Sequence, residues 1–203
     1  MDDSSLSQTI ADFRSGADHF VRLVDMIDDN RWDGPGLGDW SLRSLVGHTG
    51  RSLTTVVTYL AESASTIDLD STAAYYASIQ GYGDPASVLQ RGVDAGLALG
   101  DDPRSSVKAL RARALDELDG VDDRPLATPF GGIMLSHYLP TRTFELAVHG
   151  LDISRAIGAD VALPASVLAS ALSTAAATAA RTGQGEQALL TLTGRSSEPI
   201  SVV

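Results

Sequence analysis

The sequence predicts a mainly α protein, a four-helix bundle over residues 1–158 followed by a small C-terminal α/β element over residues 159–203. Three observations carry this expectation. Apolar residues recur at three- and four-residue intervals in four long stretches, clusters of Gly and Pro separate those stretches, and the tail changes character, with short alternating apolar runs after its last Ala-rich helix.

Taken in order, Leu6, Ile10, Phe13, Ala17, Phe20, Val21, Val24 and Ile27 mark a first amphipathic helix from about Ser5 to Asn30. His19 lies within it and reads as a structural histidine. Gly34, Pro35, Gly36 and Gly38 then break the chain into a loop. Ser41 is placed as the N-cap of a second helix running to about Ala64, with Trp40 and Leu45 spaced as a hydrophobic staple. Residues 65 to 85 read as a long connection with a helical turn that includes Tyr75 and Tyr76. Residues 85 to 120 form a third helix, kinked or divided at Gly100-Asp-Asp-Pro103. Gly120 to Gly132 reads as loop and His137 as a loop histidine facing solvent. Pro140 opens the fourth helix and Gly158 closes it. Pro164 to Arg181 is an Ala-rich helix, and Gln187–Thr193 with Ile200–Val203 resemble two short strands.

Composition narrows the function. A 203-residue chain with 43% hydrophobic residues can bury one main core. A net charge of -11, with 15 Lys and Arg against 26 Asp and Glu and no basic stripe, excludes nucleic-acid binding. No run approaches the roughly 20 apolar residues of a membrane helix, and the start lacks the basic flank of a signal peptide. The expectation is a soluble cytoplasmic protein, monomer or homodimer, whose partners are small molecules. With no Cys there is no thiolate metal site and no cysteine nucleophile, so thiol chemistry requires a thiol from outside.

Glu145 and His149 lie four residues apart in the fourth helix and therefore share a face. With His48 brought across the bundle, they would supply two imidazoles and a carboxylate to one divalent ion and leave a zinc tetrahedron one open corner, the arrangement of a catalytic site. Spacing alone favours a helix-surface ion pair or a hydrogen-bonded buried polar pair over a metal site. Arg142, three before Glu145, and Arg51, three after His48, are placed to hold a carboxylate of substrate or thiol by a forked hydrogen bond, or to form surface salt bridges. Asp152, three after His149, either orients an imidazole or joins a solvated face.

The run Gly38-Asp-Trp-Ser-Leu-Arg-Ser-Leu-Val-Gly-His48, followed about a hundred residues later by Pro140-Thr-Arg-Thr-Phe-Glu-Leu-Ala-Val-His-Gly-Leu-Asp152, resembles the mycothiol-dependent maleylpyruvate isomerase family within the DinB-like four-helix metalloproteins. The resemblance spans roughly residues 5 to 157, and residues 160 to 203, including Gly194-Arg195, look similar to the family's small C-terminal portion. It implies metal ligands at His48, Glu145 and His149, zinc or another divalent metal such as nickel as the ion, and mycothiol as the thiol cosubstrate. It further implies isomerisation of, or thiol transfer to, a small electrophile. A metal-binding bundle with a sensing or scaffolding role, and a metal-free helical protein, are the competing classes.

Overall fold

A computed structural model describes residues 6–80 and 84–202. Among them are eight α-helices and one β-hairpin: α1 (Leu6–Asp25), α2 (Leu42–Leu60), α3 (Thr72–Ile79), α4 (Pro85–Leu97), α5 (Pro103–Glu117), β1 (Pro125–Thr128), β2 (Gly131–Met134), α6 (Leu135–Ile157), α7 (Ala165–Arg181) and α8 (Gly185–Leu192). A ring of packed helices, α1 against α6, α6 against α2, α2 against α5 and α5 against α1, forms the expected four-helix bundle. Its core is built from Phe13, Phe20, Leu45, Leu53, Val107, Leu115, Leu139 and Leu146, all nearly inaccessible to water. No helix among the described residues is long and apolar enough to cross a membrane.

The loop ahead of α2 holds that helix's start in place. Ser41 accepts a hydrogen bond from the Ser44 amide, as an N-cap should, while the Leu42 and Arg43 amides donate to the carbonyls of Gly34 and Trp32. The third helix is divided where Gly100 and Pro103 stand, so α4 and α5 separate: α5 joins the bundle and α4 lies along α2. That last contact is unusually close. A Cβ on Gly47 would fall 2.2 Å from the Gly96 amide nitrogen, and one on Gly92 would fall 2.4 Å from the Trp40 indole nitrogen. The indole in turn donates to the Leu89 carbonyl at 2.9 Å. Backbone-to-backbone packing of this kind tolerates no side chain and fixes the rotation of α2.

Four expectations are corrected. The fourth helix opens at Leu135, and Pro140 lies inside it. The cause is Asp123, whose carboxylate accepts from the Ser136 amide at 3.0 Å and hydroxyl at 2.7 Å and so caps the helix from twelve residues before its first residue. His137 consequently sits in the first turn of α6, with its Nδ1 buried and unpartnered, and not on a loop. Residues 120–132 contain half of a hairpin whose register pairs Leu126 with Ile133. Among its described residues the tail carries no strand: Gly185–Leu192 is helical, and Gln187 and Thr191 bond back to Ser196 and the Glu198 carbonyl. A short apolar run does not distinguish strand from helix by periodicity. The small β element therefore precedes α6. Val203 lies outside the described residues.

Gly158 does close α6, in the left-handed conformation (φ 71°) that favours glycine. The Ala-rich α7 packs on α6, α3 and α1, burying Val167 and Ala171 beside Tyr76 and Phe144.

Candidate metal centre

His48 stands in the second turn of α2, on the segment pinned by the Gly47–Gly96 contact; Glu145 and His149 stand one turn apart on α6, which packs against α2. One ligand atom from each of the three lies within 4.8 Å of the others. The His48 and His149 rings meet edge to face with centroids 5.0 Å apart. His149 Nε2 is 3.4 Å from Glu145 Oε2. Two ligands of a tetrahedral zinc, each roughly 2.0–2.1 Å from the ion, lie roughly 3.4 Å apart, so this pair already has the spacing of a shared ion. The sequence-predicted triad is thus brought together.

Each member is held by a neighbour. His149 Nδ1 is 3.2 Å from Asp152 Oδ2, which leaves Nε2 to face the cluster, and Asp152 is steadied by Arg155 at 3.4 Å. Glu145 Oε1 accepts from the Tyr76 hydroxyl at 2.9 Å. Sequence reasoning missed Tyr76, because its partner lies 69 positions away and no local pattern joins them. His48 packs against Trp40, ring centroids 4.5 Å apart, and Trp40 reaches His149 edge-on at 6.4 Å.

The electrostatics suit a cation. Burial, and then His149, push the His48 imidazole down to about 4, so it is neutral and has a lone pair to offer. Its Nδ1 is buried without a hydrogen-bond partner among the described residues, an unsatisfied nitrogen on a member of the cluster. For Glu145 burial works against the charge, but the His149 hydrogen bond, Arg142 and Tyr76 outweigh it and hold the carboxyl down at about 2. His149 shows the reverse balance: burial lowers it, yet Asp152 and Glu145 raise it to about 9. Without an ion, His149 carries the proton that neutralises Glu145. The donor set of two imidazoles and a carboxylate, preassembled and partly buried, fits a divalent ion with a vacant fourth corner.

Arg142 is partly buried, its guanidinium carbon 5.1 Å from the Tyr138 ring centroid and 5.5 Å from that of Tyr75. Arg51 is exposed on α2, one turn past His48. Neither forms a salt bridge among the described residues. Arg195 lies beyond α8, exposed, with its side chain on the Thr193 carbonyl. His19 is buried in α1 next to Gly150, with its Nε2 unpartnered, and belongs to the core.

Comparison with known proteins agrees with this architecture. Residues 13–154 match the family described as the mycothiol maleylpyruvate isomerase N-terminal domain. Two solved structures resemble the chain, one of the mycothiol-dependent maleylpyruvate isomerase (TM-score 0.55, 17% identity) and one of a single-residue mutant of that isomerase (TM-score 0.55, 16% identity). Each similarity covers 84% of this chain and 68% of the other, and at such identities what is shared is the fold. No curated protein matches.

Proposed function

The chain belongs to the mycothiol maleylpyruvate isomerase N-terminal domain family, and from that premise we propose that it is a zinc-dependent enzyme that uses mycothiol on a small electrophile. His48, Glu145 and His149 are the proposed ligands; nickel or another divalent ion fits the same donors. The observation that carries this reading is the convergence of one ligand atom each from His48, Glu145 and His149, carried on two helices. When bound, zinc acts as a Lewis acid and brings a thiol to its thiolate near neutral pH.

The chain's own residues prepare that chemistry. Burial keeps His48 unprotonated, Tyr76 fixes one oxygen of Glu145 and leaves the other for the ion, and Asp152 fixes the His149 tautomer. Arg142 and Arg51 bear the positive charge that draws in an anionic substrate or thiol. Addition of the thiol to a conjugated double bond, rotation and departure gives isomerisation; retention of the thiol gives S-transfer. The absence of cysteine from the sequence is in keeping with a borrowed thiol. In this proposal residues 1–158 carry the centre and residues 159–203 are an appended element.

Elemental analysis of protein purified without chelators tests the ion: one equivalent of zinc or nickel is expected, and none from the His149→Ala variant. Titration of mycothiol into cobalt-substituted protein tests the cosubstrate. A visible spectrum that no thiol perturbs leaves a metal-binding bundle without turnover as the surviving reading, and a chain that binds no metal removes both.

A further inference from the structure

The two sides of the Ala-rich α7 meet different surroundings. Val167, Ala171, Thr174 and Thr178 are buried where the helix packs on α6, α3 and α1. The opposite side is bare: Leu168 and Leu172 are 44% and 53% exposed, and the other residues of that face are Ala and Ser. No charged residue stands between Val161 and Ala180, and Arg181, which ends the helix, already pairs with Asp70 at 3.4 Å. Next to it α8 packs on α7 and leaves Leu189, Leu190 and Leu192 exposed as well. Half of the large apolar side chains exposed among the described residues lie on these two helices, a concentration that marks a contact surface.

Charge and side-chain order select what covers this face. At a net charge of -11, two copies of the chain repel wherever their acidic surfaces meet, and the outward face of α7 lets them touch without opposing like charges. Its order is also self-complementary. In an antiparallel pair related by a two-fold axis between Leu172 and Ser173, Leu168 lies opposite the partner's Ala177, Leu172 opposite the partner's Ser173 and Ala169 opposite the partner's Ala176. All six of these positions are exposed on α7. Each leucine thus meets a small residue, a knob facing a hole, and small residues let two helix axes approach to roughly 8 Å.

We propose that the outward face of α7 is the surface through which two copies of this chain pair, antiparallel and knob into hole, with α8 extending the contact. The 17 residues of α7 span roughly 25 Å. A single helix strip of that length and about 10 Å width has a footprint of roughly 250 Å², against the roughly 800 Å² that each partner gives to a standard interface. Even with the leucines of α8 added, the dimer is a weak one that forms and separates with concentration. The metal centre takes no part in the pairing, because it is the other side of α7, through Val167 and Ala171, that packs beside Tyr76 and Phe144.

Sedimentation velocity of the full chain from about 5 µM to about 1 mM tests the pairing. The average mass should rise from one chain toward two. The dissociation constant should fall several-fold between roughly 0.05 and 0.5 M salt, since screening weakens the net repulsion and spares the apolar contact. Leu172→Glu, which sets like charges together at the axis, should weaken pairing at least tenfold. Leu168→Ala and Ala177→Leu should each weaken it several-fold, and the two combined should restore it, because knob and hole have only changed places. Leu97→Glu, at a leucine 68% exposed on α4, should change nothing. Helical circular dichroism of each variant at low concentration should match that of the unaltered chain, which separates lost pairing from lost fold. The proposal is overturned by a chain that stays monomeric at the highest concentration, which leaves the face to a different protein. It is equally overturned by pairing that survives Leu172→Glu, that yields as much to Leu97→Glu, that loosens with salt, or that the combined exchange does not restore.

Discussion

His149 is held from both sides on α6: its Nδ1 lies 3.2 Å from Asp152 Oδ2 and its Nε2 lies 3.4 Å from Glu145 Oε2. One imidazole between two carboxylates is a protonated imidazole unless something else takes the place of the proton. Much of the centre's behaviour follows from that exchange.

Metal uptake should release a proton at neutral pH. His149 titrates at about 9 and His48 at about 4, so between those values one proton competes with the ion and apparent affinity should rise about tenfold per pH unit. Chelator competition from pH 6 to 8 measures the slope. A flat profile over that interval means that His149 is not protonated in the ion-free protein.

The same pair sets the stability of the metal-free protein. His149 is raised above its unfolded value, so its contribution is complete below about 6.5 and is lost as pH rises through about 9. Glu145 is depressed, so its contribution is present above its unfolded value near 4.5 and is lost as pH falls through about 2. Thermal unfolding of metal-free protein should show this contribution at its largest between about pH 4.5 and 6.5, and His149→Ala should flatten the alkaline limb. An unaltered alkaline limb in that variant would falsify the assignment.

Asp152→Asn keeps the size of the side chain but removes its charge, so His149 loses its anionic partner. Zinc affinity should drop about 10- to 100-fold with the helical circular dichroism unchanged. Equal affinity for both proteins would return Asp152 to the solvated face.

Gly47→Ala places a methyl group 2.2 Å from the Gly96 amide nitrogen, where no flexible side chain can yield. Separation of α2 from α4 should cost about 1–3 kcal/mol in denaturant unfolding and should weaken metal binding, because His48 is the next residue. Gly100→Ala is a poor control, since φ there is 67° and a side chain is strained for a different reason. Thr58→Ala, on the exposed face of α2, is the better one.

The convergence of His48, Glu145 and His149 was legible because it is local where it matters: Glu145 and His149 share a helix face by spacing, and the Trp40-Ser41 start fixes the phase of the helix carrying His48. Long-range contacts were not legible. Asp123 capping α6, Tyr76 on Glu145 and the glycine contact between α2 and α4 join residues separated by 13, 69 and 49 positions, and nothing periodic links them. Pro140 misled because proline is common in a helix's first turn, and here the helix had already begun. In the tail, Ala188, Leu189, Leu190 and Leu192 suit either a strand or a helix by their apolar pattern alone, and in the structure they are helical.

The contact between Trp40 and His48 gives the centre an intrinsic optical signal. An indole stacked 4.5 Å from one imidazole and 6.4 Å from another experiences every change of charge on them, and an imidazolium is an efficient quencher of indole emission. Trp32, the second indole, stacks between Arg43 and Arg104 and supplies a separate background. In a Trp32→Phe variant, fluorescence should therefore follow the filling of the centre without any added dye.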